Sequence, residues 1–135
     1  MNYQKSYSPS RPIRSFQDLE VYQKLLAISV AIVKRVKSEK VTVIALDLPV
    51  KMATAHSLRF GDQTKAIQIL EEIMLNCNIL VVYLEQYRDI ENKETEPEFF
   101  EEQIKNLLSV RTKILHLQMS WKKFSEQYKK NQNAK

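Results

Sequence analysis

The stretch Ile67-Gln-Ile-Leu-Glu-Glu-Ile-Met-Leu-Asn-Cys-Asn-Ile-Leu-Val-Val-Tyr-Leu84 carries two interleaved apolar stripes. Ile67, Leu70, Met74, Cys77, Val81 and Leu84 recur three and four residues apart, as a helix in a bundle interface requires. Ile69, Ile73, Leu80, Tyr83 and Tyr87 widen that seam into a face broad enough for more than one neighbour. A helix from about residue 62 to 90 follows. The chain contains one glycine, Gly61. Hairpins and phosphate-cradling loops need several positions with positive φ, so a single glycine argues against a sheet protein and for an all-helical one.

Working outward, Leu19, Tyr22, Leu26, Val30, Val33 and Val36 recur at helical steps, with Ser15 and Asp18 placed as a capping box. This predicts helix 1 over residues 16 to 37. The link Glu91-Asn-Lys-Glu-Thr-Glu-Pro-Glu98 has no apolar residue, and Thr95 with Glu98 forms a second capping box around Pro97. Helix 4 is expected from there to about Tyr128, through Phe100, Ile104, Leu107, Leu108, Ile114, Leu115, Trp121 and Phe124. Between residues 41 and 60 the signals conflict. Val41-Thr-Val-Ile44 has strand-like propensity and Pro49 kinks or delays a helix. The run Val50-Lys-Met-Ala-Thr-Ala-His-Ser-Leu-Arg-Phe60 favours helix 2, with Gly61 as its C-cap and Asp62 capping the next helix. Helix 2 starts on one side or the other of Pro49. The expected fold is therefore an all-α, up-down antiparallel four-helix bundle over residues 15–128, preceded by an unfolded basic arm (1–14) and followed by a basic tail (129–135).

Charge is sorted along the chain. Residues 1–61 carry ten Lys/Arg against four Asp/Glu, residues 62–102 three against eleven, and residues 103–135 eight against one. Such segregation points to a polyanion surface, to electrostatic contacts between subunits, or to both. Candidate nucleic-acid contacts are Lys34, Arg35, Lys37 and Lys40 near the end of helix 1; Lys51 and Arg59 on helix 2; and Lys105, Lys113, Lys122, Lys123, Lys129 and Lys130 on helix 4 and its tail. The competing reading is a solvated face, with Lys34, Arg35 and Lys37 complementing a helix C-terminus. Arg111 falls among Leu107, Leu108, Ile114 and Leu115, so it lines an oligomer interface or pairs with Glu71, Glu72 or Glu85. Trp121 beside Lys122 and Lys123 reads as a core or interface residue, or as a base-stacking one. Tyr3 and Tyr7 among Lys5, Arg11 and Arg14 form either a plain terminus or an arm that stacks on bases.

Catalytic chemistry finds little support in the sequence, and an enzyme using His56 or the glutamates is the least favoured reading. His56 and His116 have no metal-ligand spacing with each other or with Cys77, and Glu71-Glu72 and Glu101-Glu102 point to different helix faces. Cys77 lies in the helix 3 seam and reads as a small buried apolar residue. No metal and no cofactor is expected. The longest uninterrupted apolar run, Ile79-Leu-Val-Val-Tyr-Leu84, is far short of the about 20 residues a membrane span needs. The N-terminal residues lack an apolar signal core, and a lone cysteine suits a reducing compartment, so a cytoplasmic protein without a membrane helix is expected.

The segment Phe16-Gln-Asp-Leu-Glu-Val-Tyr-Gln-Lys24 resembles the opening of the four-helix-bundle proteins encoded in bacterial 23S ribosomal RNA intervening sequences, where Phe-x-Asp-Leu-x-Val-(Trp/Tyr)-x-Lys starts helix 1. Where that family closes helix 2 with an Asn-Ile-Ala-Glu-Gly-like signature, this chain has Ser57-Leu-Arg-Phe-Gly61. The expected fold is similar to that of the accessory variability determinant proteins of diversity-generating retroelements. The resemblance implies a ring-shaped homo-oligomer, a pentamer, that binds RNA or DNA and a reverse transcriptase. A ring also accounts for the surplus apolar face of helix 3. The alternative function is a protein-interaction module for an acidic partner, with no nucleic acid.

Overall fold

The computed structural model describes residues 14–91 and 97–133, and the described chain is a bundle of four helices without strands. A 3-10 turn, η1 (Phe16–Asp18), leads into α1 (Glu20–Arg35), α2 (Glu39–Leu58), α3 (Gln63–Glu91) and α4 (Pro97–Asn133). Around the bundle each helix packs on the one before it and α4 closes back onto α1, while α1 with α3 and α2 with α4 are diagonal. The up-down antiparallel topology expected from the sequence is the one observed.

Local chemistry sets most boundaries. Ser15 and Asp18 cap η1, not helix 1: the Ser15 hydroxyl accepts from the Gln17 N–H at 3.2 Å, and the Asp18 carboxylate accepts from the Arg14 N–H at 2.9 Å. Ser38 ends the α1–α2 link by accepting the Val41 N–H at 3.3 Å, and Asp62 opens α3 by accepting from Lys65 at 3.2 Å. Thr95 lies outside the described residues.

Pro49 neither delays nor ends α2, which runs through it. Proline removes one N–H and costs a helix interior about 3 kcal/mol. Val41, Ala45, Leu48 and Met52 are fully buried on the same helix, and each large apolar side chain contributes about 1.5–3 kcal/mol. Burial wins, and it also overrides the strand propensity of residues 41–44. Gly61 is not a left-handed C-cap. Its backbone stays outside the left-handed region and a Cβ there meets nothing within 4 Å. Gly61→Ala is therefore expected to raise stability by about 0.4–1 kcal/mol through the unfolded chain. A lower melting temperature by circular dichroism would contradict this.

The core runs the length of the bundle, with Leu25, Ile32, Leu48, Met52, Leu70, Ile73, Leu80, Leu84, Phe100, Leu107 and Ile114 sealed from solvent. On α3 it draws on both stripes read from the sequence. On α1 and α4 it corrects them. Val21, Leu25, Ile28 and Ile32 face the core of α1, while Leu26 and Val30 point outward. On α4 the inner face is Phe100, Gln103, Leu107, Val110, Ile114 and Gln118, and Leu108, Leu115 and Phe124 are exposed.

Two apolar faces result. Leu26, Val30, Val43, Leu46 and Val50 lie exposed along α1 and α2, and Leu75, Val82, Leu108, Leu115 and Met119 along α3 and α4. Given the order of the helices, these faces lie on opposite sides of the bundle. By length and mean hydropathy alone α3 is long and apolar enough to cross a membrane, although its apolar residues are broken up by polar ones; its buried side serves α2 and α4.

At 37 residues α4 is about 55 Å long. Gln63, at the start of α3, donates from its side-chain amide to the Trp121 carbonyl at 3.1 Å, close to the end of the bundle body, where Phe124 still meets Phe60 of the α2–α3 turn. Residues 125–133 continue α4 for about 14 Å beyond that contact. The tail expected from residue 129 is helical as far as Asn133.

Candidate nucleic-acid interface

The twelve candidate cations do not form one surface on a single chain. Lys34, Lys37 and Lys40 gather at the end of the bundle where α1 passes to α2, with Lys40 in the first turn of α2. Arg59, Lys122, Lys123, Lys129 and Lys130 lie at the other end. From Lys105 to Lys122 the helix rises about 25 Å.

Several candidates are engaged in holding the fold. Arg35 donates to Glu91 at 2.8 Å and its guanidinium lies 5.1 Å over the Phe100 ring, joining α1 to α3 and α4. Lys51 reaches Glu72 at 2.9 Å and Asp47 at 3.4 Å, bridging α2 and α3; the Glu72 hydrogen bond is the main cause of its raised pKa. Lys113 approaches Glu20 at 3.8 Å, an exposed pair worth about 0–1 kcal/mol. Among the described residues Lys34, Lys37, Lys40, Lys105, Lys122, Lys123, Lys129 and Lys130 make no ion pair.

Arg111 does not form the pair with Glu71, Glu72 or Glu85 that its position suggested. Glu71 accepts from the Gln118 amide at 3.0 Å and Glu72 is taken by Lys51, while the Arg111 Nε is buried with no hydrogen-bond partner among the described residues. Arg111 borders an open groove of about 660 Å³ between α3 and α4, shared with Met74, Leu75 and Leu115. Behind it, Cys77 is fully buried. Burial pushes its thiol up to about 12, against an opposing pull from the Arg111 charge, so it stays protonated.

The α2–α3 turn holds the other constellation. Arg59 donates from Nη1 to the His56 carbonyl at 2.6 Å and places its guanidinium 4.2 Å over the Phe60 ring. Phe60 meets Phe124 with ring centroids 6.2 Å apart. Trp121 is half-buried against the edge of the core. Phe60, Phe124 and Tyr128 stand largely in solvent, a feature not read from the sequence. The signal was there in part: Phe124 follows Trp121 by three residues on one helix face, and Phe60 lies in a turn.

His56 is 8% exposed, and burial first, then the charge of Arg59, lowers its pKa. Below about pH 6.5 the unfolded chain takes up a proton that the folded chain resists. Stability is complete above that pH and falls as pH drops toward the folded-state pKa. Melting temperature should thus decline on mild acidification, and less steeply in His56→Gln. Equal slopes would exclude His56 as the source.

Among the described residues no three His, Cys, Asp or Glu side chains converge as a metal site would need. Compared with known proteins, the chain matches no family model, no curated protein and no solved structure. In residues 16–24, which carry the resemblance to the intervening-sequence proteins, Phe16–Asp18 is the 3-10 turn and the α-helix starts only at Glu20.

Proposed function

We propose that this protein is a non-enzymatic scaffold that binds RNA or DNA through a basic surface and serves a reverse transcriptase or another RNA-handling partner. The observation that carries the reading is the overhanging end of α4. Residues 122–133 hold Lys122, Lys123, Lys129 and Lys130 against the single acid Glu126, free of ion pairs among the described residues and next to exposed aromatic rings. Phosphates neutralised there release counterions, giving strong, salt-sensitive and sequence-tolerant binding. The reverse-transcriptase partner rests on the similarity of the expected four-helix fold to the accessory variability determinant proteins.

Assembly belongs to the same proposal. The two exposed apolar faces differ in composition and lie on opposite sides, so one copy's α1–α2 face meets the next copy's α3–α4 face. A head-to-tail contact of this kind closes into a ring when its rotation permits. Five subunits is the number the resemblance implies. Several weak basic ends then act together through avidity.

The test is the light-scattering mass of the purified chain at low salt, alone and with a short structured RNA. A multimer whose mass rises with RNA and falls back with added salt supports the reading. A multimer indifferent to RNA favours a second reading, a protein-interaction module with an acidic partner, which the apolar faces alone also suit.

A further inference from the structure

We propose that the cleft between the α2–α3 turn and α4 is a stacking site for an unpaired nucleobase of a single-stranded nucleic acid. The inference rests on the nucleic-acid reading above and names the groups that would touch a base. The cleft encloses about 250 Å³ and is lined by Arg59, Phe60, Gln63, Ser120, Trp121 and Phe124.

Three features converge on a flat, electron-rich occupant beside a phosphate. Phe60 is 72% exposed and Phe124 56%, although large aromatic side chains gain most from burial. Their rings are tilted by 54° with centroids 6.2 Å apart, so neither covers the other's face. Arg59 is already parked over Phe60 and tethered to the His56 carbonyl, which places a planar cation at the rim with little freedom left to lose. Arg59 is the cation at the cleft itself; Lys122 and Lys123, turned toward other faces of the same helical turn, make no ion pair among the described residues and remain free to meet phosphates further along the strand. Aromatic platforms flanked by basic groups are how sequence-tolerant single-strand binders work.

Size decides between occupants. Drug-sized ligand sites begin at about 300 Å³. A single planar base suits the smaller space.

Trp121 is the only tryptophan, so its emission reports on this cleft directly. The full chain is titrated at low salt with a short oligothymidylate and, separately, with an abasic oligomer of the same length and backbone, while anisotropy of the labelled oligomers measures binding. The expected result is that oligothymidylate quenches Trp121 and the abasic oligomer binds without quenching. Phe60→Ala and Phe124→Ala should each weaken oligothymidylate binding roughly five- to 150-fold, the range set by loss of one stacked base, and leave abasic binding unchanged. Both side chains are exposed, so the variants should keep the wild-type circular dichroism spectrum. Equal binding of the two oligomers with unmoved emission overturns the stacking site and leaves the nucleic-acid reading standing. Binding of neither oligomer overturns both. Emission that follows protein concentration and ignores the oligomers also overturns it, and gives the cleft to a second copy of the chain.

Discussion

Replacing Lys122, Lys123, Lys129 and Lys130 together by glutamine is expected to cut nucleic-acid affinity by about three orders of magnitude at 0.1 M salt, if each lysine neutralises one phosphate. The same change should flatten the slope of log K against log salt by about 3.6 per chain on duplex, and by somewhat less on a single strand. The four side chains lie on the part of α4 beyond the Gln63–Trp121 contact, exposed and unpaired among the described residues, so the fold does not depend on them. Unfolding free energy should change by no more than is typical of surface substitutions, about 0.5 kcal/mol for each. Unchanged affinity at fixed salt would remove the overhang from the binding surface and move attention to Lys34, Lys37 and Lys40 at the opposite end.

Single charges on the apolar faces should be as disruptive to assembly as the lysines are to binding. Val50, on the α1–α2 face, is 59% exposed and Val82, on the α3–α4 face, 51%, so Val50→Glu and Val82→Glu leave the isolated bundle intact. In a head-to-tail ring either change places an unpaired carboxylate at every interface, a cost of several kcal/mol per contact after relaxation. Each variant alone is expected to be monomeric by light scattering. Mixing them is the sharper measurement, because each keeps the face that the other has lost. A head-to-tail contact then restores one interface, and the mixture forms a dimer and nothing larger. A variant that still dimerises on its own would argue instead for a contact in which its untouched face meets its own copy, and a mixture that remains monomeric would overturn the head-to-tail contact.

The number of helices, their order and the α3 seam were legible because apolar spacing and a single glycine constrain them strongly. Which stripe of α1 and α4 turns inward was not. Both helices carry more apolar residues than one face holds, and Leu26 or Leu108 looks as suitable for burial as Leu25 or Leu107 until the neighbouring helices are in place. Pro49 left the start of helix 2 open because its local cost is visible in the sequence, and the burial that outweighs it depends on tertiary packing. The end of α4 was set too early, though no glycine or proline follows Tyr128 to stop it. For the candidate site, Arg35 and Lys51 could not be told from free cations, since their partners Glu91 and Glu72 are 56 and 21 residues away.

The unequal lengths of the helices give any such assembly a direction. Rotation about an axis along the bundle carries every projecting stretch of α4 to the same rim, so a ring would be a collar with a fringe of cationic tines on one side only. Its two openings would then offer different chemistry, and a strand captured by the fringe would enter from a fixed side. The opposite rim, where Arg35 is tied to Glu91 and Lys34, Lys37 and Lys40 gather without a projecting helix, would present a flatter face to a protein partner.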